Sequence, residues 1–219
     1  MSNEELRVCN KCWNELTPLS ENEPIFIEKK KQFSQHNALD GFQSYFLFEK
    51  NKRIQDIIHG LKYEQRTTFG FELGKRLGEK LKHENSFPNA DFLIPIPLHK
   101  LKLRERGYNQ SEFVAKGISS ITKIPVASKF LSRNKYTQSQ THLNFQERQE
   151  NVKEVFAVKE KFYKEIHNKS IILVDDVITT GATISSAARA LKSSGVKNVY
   201  AVSVAVTAFQ EENIHGTQN

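Results

Sequence analysis

Hydrophobic positions change period several times along the chain, and each change marks an element. Residues 42–48 are aromatic-rich and suit a strand. Residues 51–63 place Ile54, Ile57, Ile58 and Leu61 at the three-or-four spacing of one helix face. That spacing returns at 69–81 with Phe69, Leu73, Leu77 and Leu81, and at 108–121 with Phe113, Val114, Ile118 and Ile121. Between them, 92–96 is a short apolar run interrupted by Pro95 and stopped by Pro97. Residues 171–174, Ile-Ile-Leu-Val, do not alternate at all, which suits a strand buried on both faces. A helix over 181–194 is closed by Gly195, and a strand over 199–206 follows. Residues 132–152 lack periodic apolar positions and read as a long loop. Strands separated by helices predict an α/β fold, a mostly parallel sheet flanked by helices. Such sheets bind ligands at the carboxyl ends of their strands.

With 219 residues the chain has room for one sizeable domain and a small appendage. Residues 1–38 stand apart in composition, holding both cysteines, Trp13, two prolines and the lysines at 29–31, so the domain is expected over 39–219. The formal net charge of +7 favours anionic partners: nucleic acid, phosphates or a membrane surface. No apolar core of a leader follows the polar residues 1–7, and the longest apolar runs are strand-length, so a cytoplasmic chain is expected. In that setting the Cys9-Asn-Lys-Cys12 pair reads as metal-binding or redox-active rather than as a disulfide.

The richest chemistry lies in Ile-Ile-Leu-Val-Asp-Asp-Val-Ile-Thr-Thr-Gly-Ala-Thr, residues 171–183. A buried strand ends in Asp175 and Asp176, a short loop holds Thr179, Thr180, Gly181, Ala182 and Thr183, and a helix begins. A helix N-terminus presents unpaired N–H groups and a positive dipole end to an anion. Gly181 lets backbone approach a phosphate closely, and threonine hydroxyls add donors. Two carboxylates beside a phosphate site would repel the ligand, unless they accept hydrogen bonds from sugar hydroxyls while the loop holds the phosphate. The P-loop lysine is absent. The alternative is a hydrated acidic turn before a capped helix. The run resembles the phosphoribosyl pyrophosphate signature of type I phosphoribosyltransferases. The resemblance implies that fold, with a small N-terminal appendage. It also implies Asp175 and Asp176 on the ribose hydroxyls, residues 179–183 on the 5′-phosphate, and Mg²⁺ on the pyrophosphate.

Three further segments are similar to the ComF (competence protein F) family. Ile-Pro-Ile-Pro-Leu-His-Lys at 94–100, followed by Arg-Glu-Arg-Gly-Tyr-Asn-Gln at 104–110, implies a pyrophosphate loop at Pro97, Leu98, His99 and Lys100. Independently of any family, His99, Lys100, Lys102, Arg104 and Arg106 make a polyanion site or a solvated basic surface. Thr137, Gln140, Leu143, Arg148 and Asn151 match a spaced pattern that implies a flexible loop closing over the reacting centre. Ile-His-Gly-Leu-Lys-Tyr at 58–63 is also family-like, with a packing or substrate-side role at a helix end. ComF-like proteins usually begin with two CxxC pairs binding zinc. Cys9 and Cys12 supply only two of four ligands and His36 is a weak third, so no bound zinc is expected.

The reading is a phosphoribosyltransferase-like protein, acceptor unknown, linked to natural competence and DNA uptake. If it is catalytic, a nitrogen nucleophile displaces pyrophosphate from the anomeric carbon. Mg²⁺, Lys100, Arg104, Arg106 and loop N–H groups would stabilise the leaving group; no general base stands out. The alternative is a non-catalytic accessory protein for single-stranded DNA, with a competence helicase-type protein as partner. That reading has a loose aromatic and basic interleaving at Phe130, Arg133, Lys135 and Tyr136.

Overall fold

A computed structural model describes residues 10–35, 39–49, 52–83, 90–133 and 155–208. Its main sheet has four parallel strands in the order β1 (Gly41–Phe48), β6 (Asn198–Thr207), β5 (Ser170–Ile178), β2 (Phe92–Pro95). Helices α3 (Arg53–Tyr63), α4 (Thr67–His83) and α6 (Gln110–Thr122) cover one face. Helices α2 (Pro24–Gln35) and α8 (Ala182–Ser193) cover the other. Short helices α1 (Asn10–Asn14), α5 (Lys100–Arg106) and α7 (Tyr163–Ile166), with a 3-10 turn at Glu160–Phe162 before α7, complete the helical set among the described residues.

The non-alternating run at 171–174 is explained by its two faces. Ile171 and Leu173 enter the core under α2 and α8, while Ile172 and Val174 enter the core under α3, α4 and α6. Apolar cover is therefore needed at every position. Past Val174 the alternation inverts: Val177 joins the α3–α6 side and Ile178 the α8 side. The same inversion occurs in β1, where Phe42 lies on the α2 side and Phe46 on the other. Register is kept throughout, yet Asp176, Val204 and Tyr45 are skipped at one level across three strands. The strand runs on through Asp175 and Asp176 to Ile178, whereas the sequence suggested that it ends at the acids. A local irregularity of this kind re-aims side chains without ending the ladder.

Two other segments differ from expectation. Ser132 and Arg133 are not loop: Leu131–Arg133 (β3) pairs antiparallel with Phe156–Val158 (β4). Strands of three residues are too short to show a period. Within the compositionally distinct N-terminal segment, α2 is built into the main core. Phe26 and Phe33 are buried and pack on Phe42 with ring centroids 5.6 and 5.0 Å apart. Helices α4 and α6 meet closely: a Cβ at Gly117 would lie 2.2 Å from the Phe71 carbonyl oxygen, and one at Gly74 2.1 Å from that of Val114. No helix among the described residues is long and apolar enough to cross a membrane.

Candidate functional site

The loop after β5 is held from behind by α2. The ammonium of Lys29, only 1% exposed, donates to the Thr179 carbonyl at 2.7 Å, and the Gln32 amide donates to the Thr180 carbonyl at 3.3 Å. Burial lowers the Lys29 pKa. A trans peptide points its C=O and the following N–H in opposite directions. Turning these two carbonyls toward α2 therefore aims the N–H groups of Thr180 and Gly181 away from it. Gly181 sits at φ +80° just before α8, and a Cβ there would lie 2.4 Å from the Phe33 ring. Only glycine meets both conditions. The first helical bond of α8 runs from Ser185 N–H to the Gly181 carbonyl, so the amides before it have no helical carbonyl to donate to, and that of Ala182 donates to Thr180 Oγ1 at 3.4 Å. A notch of about 30 Å³ lies there, lined by Asp175, Val177, Ile178, Thr179, Gly181, Thr183 and Ile184. Thr179, Thr180 and Ala182 are exposed around it. The structure thus brings the predicted 5′-phosphate residues together with Asp175.

The inverted alternation in β5 sends both carboxylates to the same side. Asp175 Oδ1 accepts from Ser111 Oγ of α6 at 3.0 Å, and Asp176 Oδ2 lies 3.1 Å from Lys62 Nζ of α3. Both helices belong to one face of the sheet. The backbone bonds to its own acids: Asp176 N–H donates to Asp175 Oδ1 and Val177 N–H to Asp176 Oδ1, each at 2.9 Å. Burial first, then the charge of Asp176, pushes the Asp175 pKa well above the usual carboxylate range. The Lys62 ammonium beside Asp176 sets a positive charge against the pair and offsets part of the repulsion that two acids would exert on a phosphate.

The predicted pyrophosphate residues divide. Ile96 N–H donates to the Val174 carbonyl at 2.9 Å, so Pro97, Leu98 and His99 follow at the carboxyl end of the sheet, next to the acids. His99 caps α5, its Nδ1 accepting from Leu101 N–H at 3.3 Å. Lys100, Lys102 and Arg104 are exposed along α5. Arg106 turns instead to Tyr63, with its guanidinium 5.1 Å from the ring centroid and 3.4 Å from the hydroxyl. Asn109 ties the segment together by donating to the Ile96 carbonyl at 3.0 Å and capping α6 through Ser111 N–H.

Thr137, Gln140, Leu143, Arg148, Asn151, Lys135, Tyr136, His36 and Cys9 lie outside the described residues. Cys12 is partly exposed. Among the described residues no group of three or more His, Cys, Asp or Glu is placed to hold a metal. Phe130 is no stacking platform: it is 7% exposed and packs between Phe92 and Phe162, at 5.1 and 4.5 Å. Arg133 lies over Phe156 at 5.4 Å; burial lowers its pKa, and the charge of Asp175 works the other way.

Sequence reasoning did not single out Gln32, Ser111 or the site role of Lys29. One signal was present, since Phe26, Lys29 and Phe33 share a helical stripe that puts a lysine in an apolar face.

The phosphoribosyl transferase domain family matches residues 109–216, which include Ser111, both acids and the whole loop. Competence protein F of Haemophilus influenzae is 32% identical over 120 residues, covering 55% of this chain and 51% of that protein. Competence protein ComFC of Bacillus subtilis is 31% identical over 114 residues, covering 50% and 42%. The chain is similar to the ComF family of phosphoribosyltransferase-like proteins. A third relative, DNA utilization protein YhgH of Escherichia coli K12, is 26% identical over 149 residues, covering 67% and 64%. The match thus spans less than two thirds of the length of each of these curated relatives, from 42% to 64%.

Proposed function

We propose that this ComF-like chain binds phosphoribosyl pyrophosphate with Mg²⁺ at the carboxyl end of β5, in a competence-related role. The observation that carries the reading is the delivery of Asp175 and Asp176 to one side of the sheet, beside an open helix N-terminus. Ribose 2′ and 3′ hydroxyls would donate to the acids. The 5′-phosphate would accept from the amides and hydroxyls of 179–183. The pyrophosphate would lie toward Pro97, Leu98, His99 and Lys100, just past the end of the neighbouring strand β2. With no cluster of three metal ligands among the described residues, Mg²⁺ would be held largely through pyrophosphate oxygens and water, which suits its hydration chemistry. In a transfer reaction the bound ion would help carry the charge of departing pyrophosphate while an acceptor nitrogen bonds to the anomeric carbon.

Calorimetric titration tests this. The wild type should bind phosphoribosyl pyrophosphate saturably and more tightly with Mg²⁺. The Asp175→Asn/Asp176→Asn variant, folded by circular dichroism, should bind at least about 100-fold more weakly, from the loss of two charge-assisted hydrogen-bond acceptors. Equal binding by the variant would refute the site.

The exposed cations of α5 favour a second role in holding single-stranded DNA. Affinity should then fall steeply with salt, and Lys102→Ala should lower the slope of log K against log salt by about 0.7 to 1. No binding at low salt would exclude it.

A further inference from the structure

We propose that Lys62 is a ligand-gated cation, which neutralises Asp176 in the empty protein and passes to the pyrophosphate when phosphoribosyl pyrophosphate binds. The inference rests on the binding mode proposed above.

Asp176 Oδ1 is taken by the Val177 N–H at 2.9 Å, so Oδ2 is the oxygen available to a sugar hydroxyl. Lys62 Nζ stands 3.1 Å from that oxygen, with side-chain exposures of 26% for Lys62 and 11% for Asp176. A ligand hydroxyl at Oδ2 would therefore meet an ammonium already in place.

Two features say which way the ammonium would go. Loop 179–183 leads into α8, which packs on the opposite face of the sheet from α3. The 5′-phosphate would thus lie on the α8 side, whereas Lys62 comes from the α3 side. The end of α3 is also clasped by the segment that continues from β2. Tyr108 Oη donates to the Leu61 carbonyl, and Arg106 lies over Tyr63. This segment starts at Pro97, where the pyrophosphate is expected, and β2 flanks β5 on the side away from β6. Lys62 accordingly stands between the second acid and the leaving-group side, with Arg106 close to its neighbour. A lysine suits a hand-over because its ammonium is a point charge on a flexible four-carbon stem. In the bound state ribose hydroxyls would take the ammonium's place as hydrogen-bond donors to Asp176 Oδ2.

Two probes separate this role from plain charge balance: phosphoribosyl pyrophosphate, and ribose 5-phosphate, which has the same sugar and 5′-phosphate without the pyrophosphate. Lys62→Met should bind the first about tenfold to a hundredfold more weakly, the range of a lost charge-assisted hydrogen bond. It should bind the second within about twofold of wild type, since no contact to that probe is removed. Lys62→Gln keeps a donor for Asp176 and should show the same split if methionine disturbs the fold. Lys62→Arg should retain most affinity. An unchanged affinity for phosphoribosyl pyrophosphate, or an equal loss for both probes, would overturn the hand-over alone. A wild type that binds neither probe would overturn the proposed function and this inference together.

Discussion

Asp175 and Asp176 differ in surroundings although they are neighbours in sequence. Asp175 holds its proton well above the usual carboxylate range because it is buried beside another acid, while Asp176 faces Lys62. The raised pKa has a consequence for stability. A carboxyl that binds its proton more tightly folded than unfolded costs stability as pH rises above its ordinary value of 3.8 and on through the raised value. Asp175→Asn removes that cost and keeps an acceptor for Ser111. Its thermal midpoint should exceed that of wild type by a margin that grows from pH 4 to pH 8. A constant margin across that range would show that Asp175 is not the group responsible. Gly181 makes a second residue-scale test. Alanine there must adopt φ near +80° and displace the Phe33 ring, so Gly181→Ala should cost about 2 kcal/mol or more in denaturant unfolding.

At the scale of elements, much was legible because period and punctuation are local. The helical spacing of Ile54, Ile57, Ile58 and Leu61 gave α3, and the unbroken run at 171–174 gave a strand covered on both faces. The acid pair and its loop could be singled out because they combine unusual chemistry with a strand-to-helix transition. What stayed hidden depends on register and long-range contact. The inversion that brings both acids to one side involves three strands at one level, and nothing in β5 alone announces it. The support of the loop by α2 joins residues about 150 apart in sequence. Composition set that N-terminal segment apart, although Phe26 and Phe33 belong to the main core. Lys29→Met tests the support directly. It leaves the Thr179 carbonyl without its donor, so about 1 to 3 kcal/mol of stability should be lost. Binding of phosphoribosyl pyrophosphate should weaken with it, because the loop amides lose their fixed direction. Unaltered stability and binding would mean that α2 does not set the loop.

For the whole molecule, the sheet order places the chemistry. Strand β5 lies inside the sheet, with β2 on one side and β6 on the other, so a ligand at its carboxyl end is reached from both faces. The loop and α8 serve one face, and α3 with α6 serve the other. The net charge of +7 is consistent with an anionic ligand and with the exposed cations of α5. A crystal structure of the protein with phosphoribosyl pyrophosphate and Mg²⁺ tests the central claim most directly. The account predicts ribose hydroxyls within hydrogen-bonding distance of Asp175 and Asp176, and the 5′-phosphate on the amides that open α8. A ligand bound elsewhere, or a phosphate held on α5 with the acids left to Ser111 and Lys62, would contradict it.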